Sequence, residues 1–244
     1  MSGIPRRVLV TRAPGAWPSL EAKGWTFRAP ASTLPPLDPS TLARAIADLR
    51  SFAWVVLTSA TGARRLAEAL RAAGREPAAL AAKVACVGPA TARAAEGEGW
   101  RVAVLAAEGT GASLAGEIVA RAGAGERVLV VRPESGSAFP VSVLEDAGLA
   151  VVAAAAYRTA PSELAPAIAL ELAHGVYEAV VFTAPSALQA LLETAGTGDA
   201  LAAVKRVAIG STTAGALERA GLPAHAVAVE PTPEAVEQAL ESLW

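Results

Sequence analysis

Short apolar runs punctuate the chain, separated by longer stretches in which apolar residues recur at helical spacing. The runs are residues 7–12 (RVLVTR), 25–30, 54–59 (WVVLTS), 83–88 (KVACVG) and 101–106. They are rich in Val and Ala and show no strict alternation, the pattern of parallel strands covered on both faces. Between them the spacing predicts helices near residues 17–23, from Ser40 as cap to about 50, over 60–73, from 88 to about 97, and over 113–122.

The same order then restarts. Residues 127–132 (RVLVVR) echo 7–12, residues 150–157 (AVVAAAAY) take the place of 25–30, and 179–183 (AVVFT) echo WVVLT. Residues 206–210 and 225–230 complete the second set, with an extended link over 158–162 and a helix over 163–173. The offsets stay close: 120 from Arg7 to Arg127, 125 from Val55 to Val180, and 122 both from Gly88 to Gly210 and from Thr110 to Thr232. This predicts two α/β units of five strands, each a parallel sheet with helices on both faces. Residues 31–40 (ASTLPPLDPS) are proline-rich and read as an extended linker.

Composition narrows the function classes. Of 244 residues, 53% are hydrophobic but only 5% aromatic, so Ala, Val and Leu must build the core. A net charge of -2 argues against general binding of nucleic acid. No apolar run reaches bilayer-spanning length, and residues 1–12 lead into a strand without a signal-peptide core, so the expectation is a cytoplasmic protein with no membrane partner. A single Cys, Cys86, excludes an internal disulfide and a Cys-rich metal site. Asn is absent and Arg far outnumbers Lys, which fits a thermophile or a GC-rich genome.

In open α/β sheets, ligands bind off the carboxyl ends of the strands. Those positions here are Thr11 and Arg12, Thr58 and Ser59, residues 88–91, 132–136, 183–186 and 210–213. Small hydroxyls and Gly dominate them. In VGPAT (87–91) and IGSTT (209–213), Gly88 and Gly210 open helices whose first N–H groups can bind an anion; the alternative is that they merely start helices. There is no G-x-x-x-x-G-K-[ST] loop, and the glycines at 109 and 111 miss the third position of G-x-G-x-x-G. His174 and His225 stand alone, so neither a zinc site nor a Ser-His-Asp triad is supported. Tyr157 closes the strand of small residues at 150–157. It either covers the junction between units or projects its hydroxyl as a weak acid and hydrogen-bond donor.

The motifs VLVTR, WVVLTSATGARRL, VACVGPATARA, RVLVVRPESG, the Y-x-T at Tyr157, VVFTAPSALQAL, and VAIGSTTAGALERAG with its following PT-x-E-A span nearly the whole chain. In their order and spacing they resemble the uroporphyrinogen-III synthase family. The resemblance implies two flavodoxin-like parallel-sheet domains joined by a two-stranded β-ladder hinge and free to move on it. Residues 1–33 plus 161–244 would form one domain and 38–155 the other, with 34–37 and 156–160 as the ladder. Each domain would mix two strands of one repeat with three of the other.

The implied reaction is a cofactor-free, metal-free hydro-lyase step. Hydroxymethylbilane, a linear tetrapyrrole with eight carboxylates, loses its terminal hydroxyl to give an azafulvene cation. Ring D attacks through its substituted carbon, a spiro intermediate rearranges, and uroporphyrinogen III closes with ring D inverted. Without catalysis the substrate closes to the wrong isomer. By the same resemblance Tyr157 assists loss of the hydroxyl, while Thr91 and Thr213 line a cleft with Gly88, Gly210 and Thr212. Thr58, Ser59 and Ser186 lie in matching strand-end motifs; Ala184 stands where family members often have Ser. Arg12 and Arg132 either pair carboxylates or brace loops. The expected state is a monomer, with transient contact to the preceding pathway enzyme. Two rival readings remain at this point: a two-lobed binding module without catalysis, which more often shows cleft aromatics, and a nucleotide-dependent enzyme, which the missing phosphate loops disfavour.

Overall fold

The structure is a computed structural model, and it describes residues 7–135 and 139–244. In chain order the elements are β1 (Val8–Val10), α1 (Pro18–Glu21), β2 (Thr26–Phe27), β3 (Ala31–Leu34), α2 (Ser40–Ala47), β4 (Trp54–Leu57), α3 (Ala60–Ala72), β5 (Lys83–Cys86), α4 (Pro89–Gly97), β6 (Val102–Leu105) and α5 (Gly111–Val119). There follow β7 (Arg127–Pro133), α6 (Phe139–Asp146), β8 (Ala150–Pro161), α7 (Ala165–Ala173), β9 (Ala179–Phe182), α8 (Pro185–Leu192), α9 (Thr197–Ala203), β10 (Lys205–Ala208), α10 (Ser211–Arg219), β11 (Ala226–Val227) and α11 (Pro233–Glu241). Two compact units result: Met1–Ser32 with Thr159–Trp244, and Thr33–Arg158.

The first unit holds a sheet of order β11-β10-β9-β1-β2; the second holds β3-β8-β7-β4-β5-β6. Apart from β3, the two orders are the same once the repeat is applied, because β7 and β8 correspond to β1 and β2, and β9 to β11 correspond to β4 to β6. Each sheet therefore joins two strands of one repeat to three of the other. The equivalence holds to the residue. Leu9 pairs with Val180, and Leu129 with Val55; Lys205 pairs with Ala179, and Lys83 with Trp54. The pairings among the five equivalent strands of each sheet are parallel.

Alternation along the central strands builds a core on each face. In the second unit, Val55, Leu57, Leu129 and Val131 pack with Leu66 and Leu70 of α3, and Trp54, Val56, Val128 and Val130 pack with Leu114 and Ile118 of α5. In the first, Leu9, Val180 and Phe182 face Ile168 and Leu191, while Val8, Val10 and Val181 face Trp17 and Val236. All four layers are built from aliphatic residues with few aromatics, as the composition requires.

Three local expectations need correction. Ser40 is the first residue of α2 and not its cap; the Asp38 carboxylate accepts the Ser40 N–H at 2.8 Å instead. Tyr157 does not end its strand, since β8 runs on through residues 158–161, which the sequence assigned to a link. The outer strands β2 and β11 are only two residues long, shorter than their apolar runs. No helix among the described residues is long and apolar enough to cross a membrane.

Candidate active site

At the carboxyl end of the second sheet, β4 runs through Thr58 into Ser59, which caps α3. The Ser59 hydroxyl accepts the Gly62 N–H at 2.9 Å, satisfying one of the donors a helix start leaves open. The same oxygen lies 2.9 Å from the Tyr157 hydroxyl, and either group can be the donor. Tyr157 reaches it because the β7–β8 register slips by one residue: Arg132 pairs with Ala155, but Pro133 with Tyr157. A slip of one residue turns later side chains to the other face. As a result Ala154, Ala156 and Tyr157 all join the layer beside α3. Tyr157 is 8% exposed. Burial pushes its phenol above the ordinary value, and the hydrogen bond with Ser59 acts in the opposite direction. The phenol is therefore protonated across the neutral range and available as a donor.

Thr58, the neighbouring strand-end hydroxyl, is already engaged. Its hydroxyl donates to the Val131 carbonyl at 3.1 Å and so ties β4 to β7. The equivalent Thr183 does the same in the first unit, donating to the Thr11 carbonyl at 2.8 Å, while the Thr11 hydroxyl donates to the Val181 carbonyl at 3.0 Å and accepts the Thr183 N–H at 3.0 Å. With their protons committed, these hydroxyls offer only lone pairs, which repel a carboxylate.

The two glycine turns are structurally equivalent. Gly88 caps α4 and Gly210 caps α10, each with an extended backbone that any residue can adopt. A Cβ added at either would meet nothing within 4 Å. Neither backbone conformation nor packing accounts for the glycines, and their effect is to leave the start of each helix without a covering side chain; at α4 Pro89 has no N–H and the Thr91 N–H donates to the Gly88 carbonyl at 3.0 Å, which leaves the Ala90 N–H as the open donor of that turn. Thr91 and Thr213 sit at the third helical position of the two turns, buried at 4% and 3% exposure. Thr212 is exposed in the first turn of α10, and Ser186 is half-buried in that of α8, whose cap Ala184 supplies no side-chain bond.

Arg12 is exposed, and its guanidinium stacks 4.9 Å over the Trp17 ring. Arg132 is half-buried on β7. Gly136, also in the strand-end set, lies outside the described residues. Cavities of about 520 Å³, lined by Arg7 and Tyr177 among others, and about 740 Å³, lined by Arg50 and Ala81 among others, open beside residues that precede strands, away from these turns. Among the described residues no group of His, Cys, Asp and Glu is arranged to hold a metal ion.

A family model described as uroporphyrinogen-III synthase HemD matches residues 19–237. The chain belongs to the uroporphyrinogen-III synthase family. Solved structures of this fold cover nearly the whole chain. A mutant uroporphyrinogen III synthase from the extremely thermophilic bacterium Thermus thermophilus is 24% identical over 98% of this chain and 97% of its own, with a TM-score of 0.69. The wild-type Thermus protein in another crystal form gives 24% identity over 98% and 96% with a TM-score of 0.54. The uroporphyrinogen-III synthetase of Helicobacter pylori 26695 is 19% identical over 98% and 100%, with a TM-score of 0.65. Comparison with curated protein sequences gives no significant match.

Sequence reasoning reached Tyr157 and Ser59 separately but not their bond, which joins residues 98 positions apart through a register slip that no periodicity announces. Gly62 was missed altogether.

Proposed function

We propose that this chain is a uroporphyrinogen-III synthase, a hydro-lyase that closes hydroxymethylbilane to uroporphyrinogen III with inversion of ring D and loss of water. The observation that carries the reading is the family match across residues 19–237. The chemistry of the site supports it. The substrate is reactive and closes unaided to the wrong isomer, so the protein must hold one conformation and help one hydroxyl depart. Tyr157 is the acid in this reading: buried, protonated, and able to donate to the leaving hydroxyl when Ser59 donates to it. The uncovered first-turn N–H groups at Gly88 and Gly210 serve as grips for substrate carboxylates, with Thr212 and Ser186 beside the helix starts. Thr91 and Thr213 shape those turns from beneath. In the same reading the units are flavodoxin-like domains, and β3 and β8, which carry the chain between them, form the hinge.

The binding-module alternative gains no specific observation. Freshly generated hydroxymethylbilane, incubated with the protein and resolved into type I and type III products, decides between them. Type III in excess is expected; type I alone, at the uncatalysed rate, overturns the enzyme.

A further inference from the structure

Helix α3 begins with a sequence its own stability does not favour. Gly62 occupies the third helical position, where Ala would form helix better, and its backbone needs no glycine. The repeat supplies an internal control. At the offset of 125, Ser59 corresponds to Ala184 and Gly62 to Ala187, so α8 starts in the same fold with Ala at both places. Glycine is present only in the copy whose cap touches a tyrosine. A Cβ on Gly62 would lie 3.2 Å from the Ser59 Oγ and 3.6 Å from a methyl of Val131, close enough to displace the hydroxyl.

We propose that Ser59 and Gly62 are positioning residues that set the direction of the Tyr157 hydrogen bond. The Gly62 N–H occupies one lone pair of the Ser59 Oγ, and the positive end of α3 makes that hydroxyl a better donor than acceptor. Ser59 therefore donates to the Tyr157 oxygen, and the phenolic proton is left pointing at substrate. As the C–O bond of the substrate breaks, that proton passes to the departing oxygen, water leaves, and the phenolate is held by the Ser59 O–H. The proton that ring closure releases from the attacked pyrrole restores the phenol. This inference rests on the reading of Tyr157 as the acid.

Substitutions separate positioning from helix capping. Ser59→Asp keeps a good cap but can only accept, so the tyrosine proton is drawn inward. Its melting temperature is expected to hold while kcat falls about 10- to 100-fold. Ser59→Asn and Ser59→Thr, which cap and also donate, recover the activity that Ser59→Ala loses. Gly62→Ala is expected to melt no lower than the parent yet to lose kcat with little change in KM. A second readout needs no turnover. The chain has two tyrosines, so in a Tyr177→Phe background a ¹³C label at tyrosine Cζ reports Tyr157 alone. Its resonance should move in Ser59→Asp and Ser59→Ala and stay in Ser59→Thr. Full kcat in Ser59→Asp, or an unmoved resonance, overturns the proposal. If the resonance moves but Tyr157→Phe turns over normally, the hydrogen-bond direction stands and the catalytic reading fails.

Discussion

Replacing Tyr157 by Phe removes one oxygen and tests the catalytic reading directly. The structural cost is small and can be bounded. The hydroxyl makes one described hydrogen bond, at 2.9 Å to Ser59; its loss releases the Ser59 O–H, which is only half-buried and can turn to water, while Ser59 keeps the Gly62 N–H. The net loss is about 1 kcal/mol, which lowers the melting temperature by about 2–4 °C in a chain of this size. The catalytic cost is larger. A general acid contributes about 10²–10⁴-fold, equivalent to about 2.7–5.4 kcal/mol of barrier at 1.36 kcal/mol per decade. Well below the melting transition the variant is as folded as the parent, so the lost rate belongs to chemistry.

The assay contains its own clock. Uncatalysed closure to the type I isomer proceeds in the same vessel, so the ratio of type III to type I measures the enzymatic rate against a constant background. Tyr157→Phe should shift that ratio toward type I by the same factor as the single-turnover rate falls. Because the phenol is held above its ordinary value of 10.0, the acid stays loaded through neutral pH and is lost only as pH rises through its folded value. The parent rate should therefore show no limb from this group between about pH 6.5 and 9. An unchanged rate and isomer ratio in the variant would remove Tyr157 from the mechanism.

Alkaline pH should destabilise the fold through Cys86, whose thiol burial pushes from 9.0 up to about 12, with the Glu96 charge adding to the shift. A raised folded value gives stability that is complete below pH 9 and lost as pH rises toward 12, at about 1.4 kcal/mol per pH unit; urea melts of Cys86→Ala should lack that slope. Arg206 is buried, and its guanidinium donates to the carbonyls of Leu201 (2.6 Å), Ala202 (3.0 Å), Val204 (2.9 Å) and Pro223 (3.1 Å). Arg206→Val copies the repeat equivalent Val84 and should cost about 3 kcal/mol in chemical denaturation by stranding those acceptors; a loss under half that would mean water replaces the guanidinium. Gly111→Ala would place a Cβ 2.7 Å from the Pro140 Cγ, so a cost of about 1–3 kcal/mol is expected unless α5 and α6 part freely, which an unshifted denaturation midpoint would show. Gly88→Ala meets open space and should leave the melt unchanged while KM rises about tenfold through crowding of the first-turn N–H groups, the loss of about one hydrogen bond; an unchanged KM would mean that no carboxylate docks there.

The repeat was legible to single-residue register, because parallel strands buried on both faces keep a constant hydrophobic signature and carry their pairing partners with it. Which copy pairs with which was not legible from pattern alone. WVVLT and AVVFT present nearly the same surface to a neighbour, so β1 could have paired with β4 as well as with β9; the family resemblance, not periodicity, implied the exchange of strands. Candidate chemistry was legible where it coincides with strand ends, and illegible where it depends on what a side chain already bonds. Thr58 and Ser59 are adjacent hydroxyls with the same sequence credentials. One is consumed in tying strands together and the other faces a tyrosine, a difference made by the carbonyl of Val131 and the register slip in β8. The Ser40 assignment missed by one position: Pro39 takes the cap, and the Asp38 carboxylate accepts the Ser40 N–H of the first turn.

What the two copies share and where they part sorts the candidate residues into two kinds. Both keep a bare glycine cap with a buried Thr at the third helical position, at Gly88 and Thr91 and again at Gly210 and Thr213. Both also keep a strand-end Thr tied to its neighbour, Thr58 and Thr183. They part at the helix after that Thr, where Ser59 and Gly62 face Ala184 and Ala187. A substrate with many like carboxylates can use duplicated anion turns, but it has a single hydroxyl to lose and needs a single acid. In the proposed reading, duplicated features then belong to binding and unduplicated ones to bond breaking. With Tyr157 as the proposed acid, that criterion assigns bond breaking to the second unit, where the cap has a hydroxyl, the first turn has no Cβ, and a slipped strand brings the phenol to meet them.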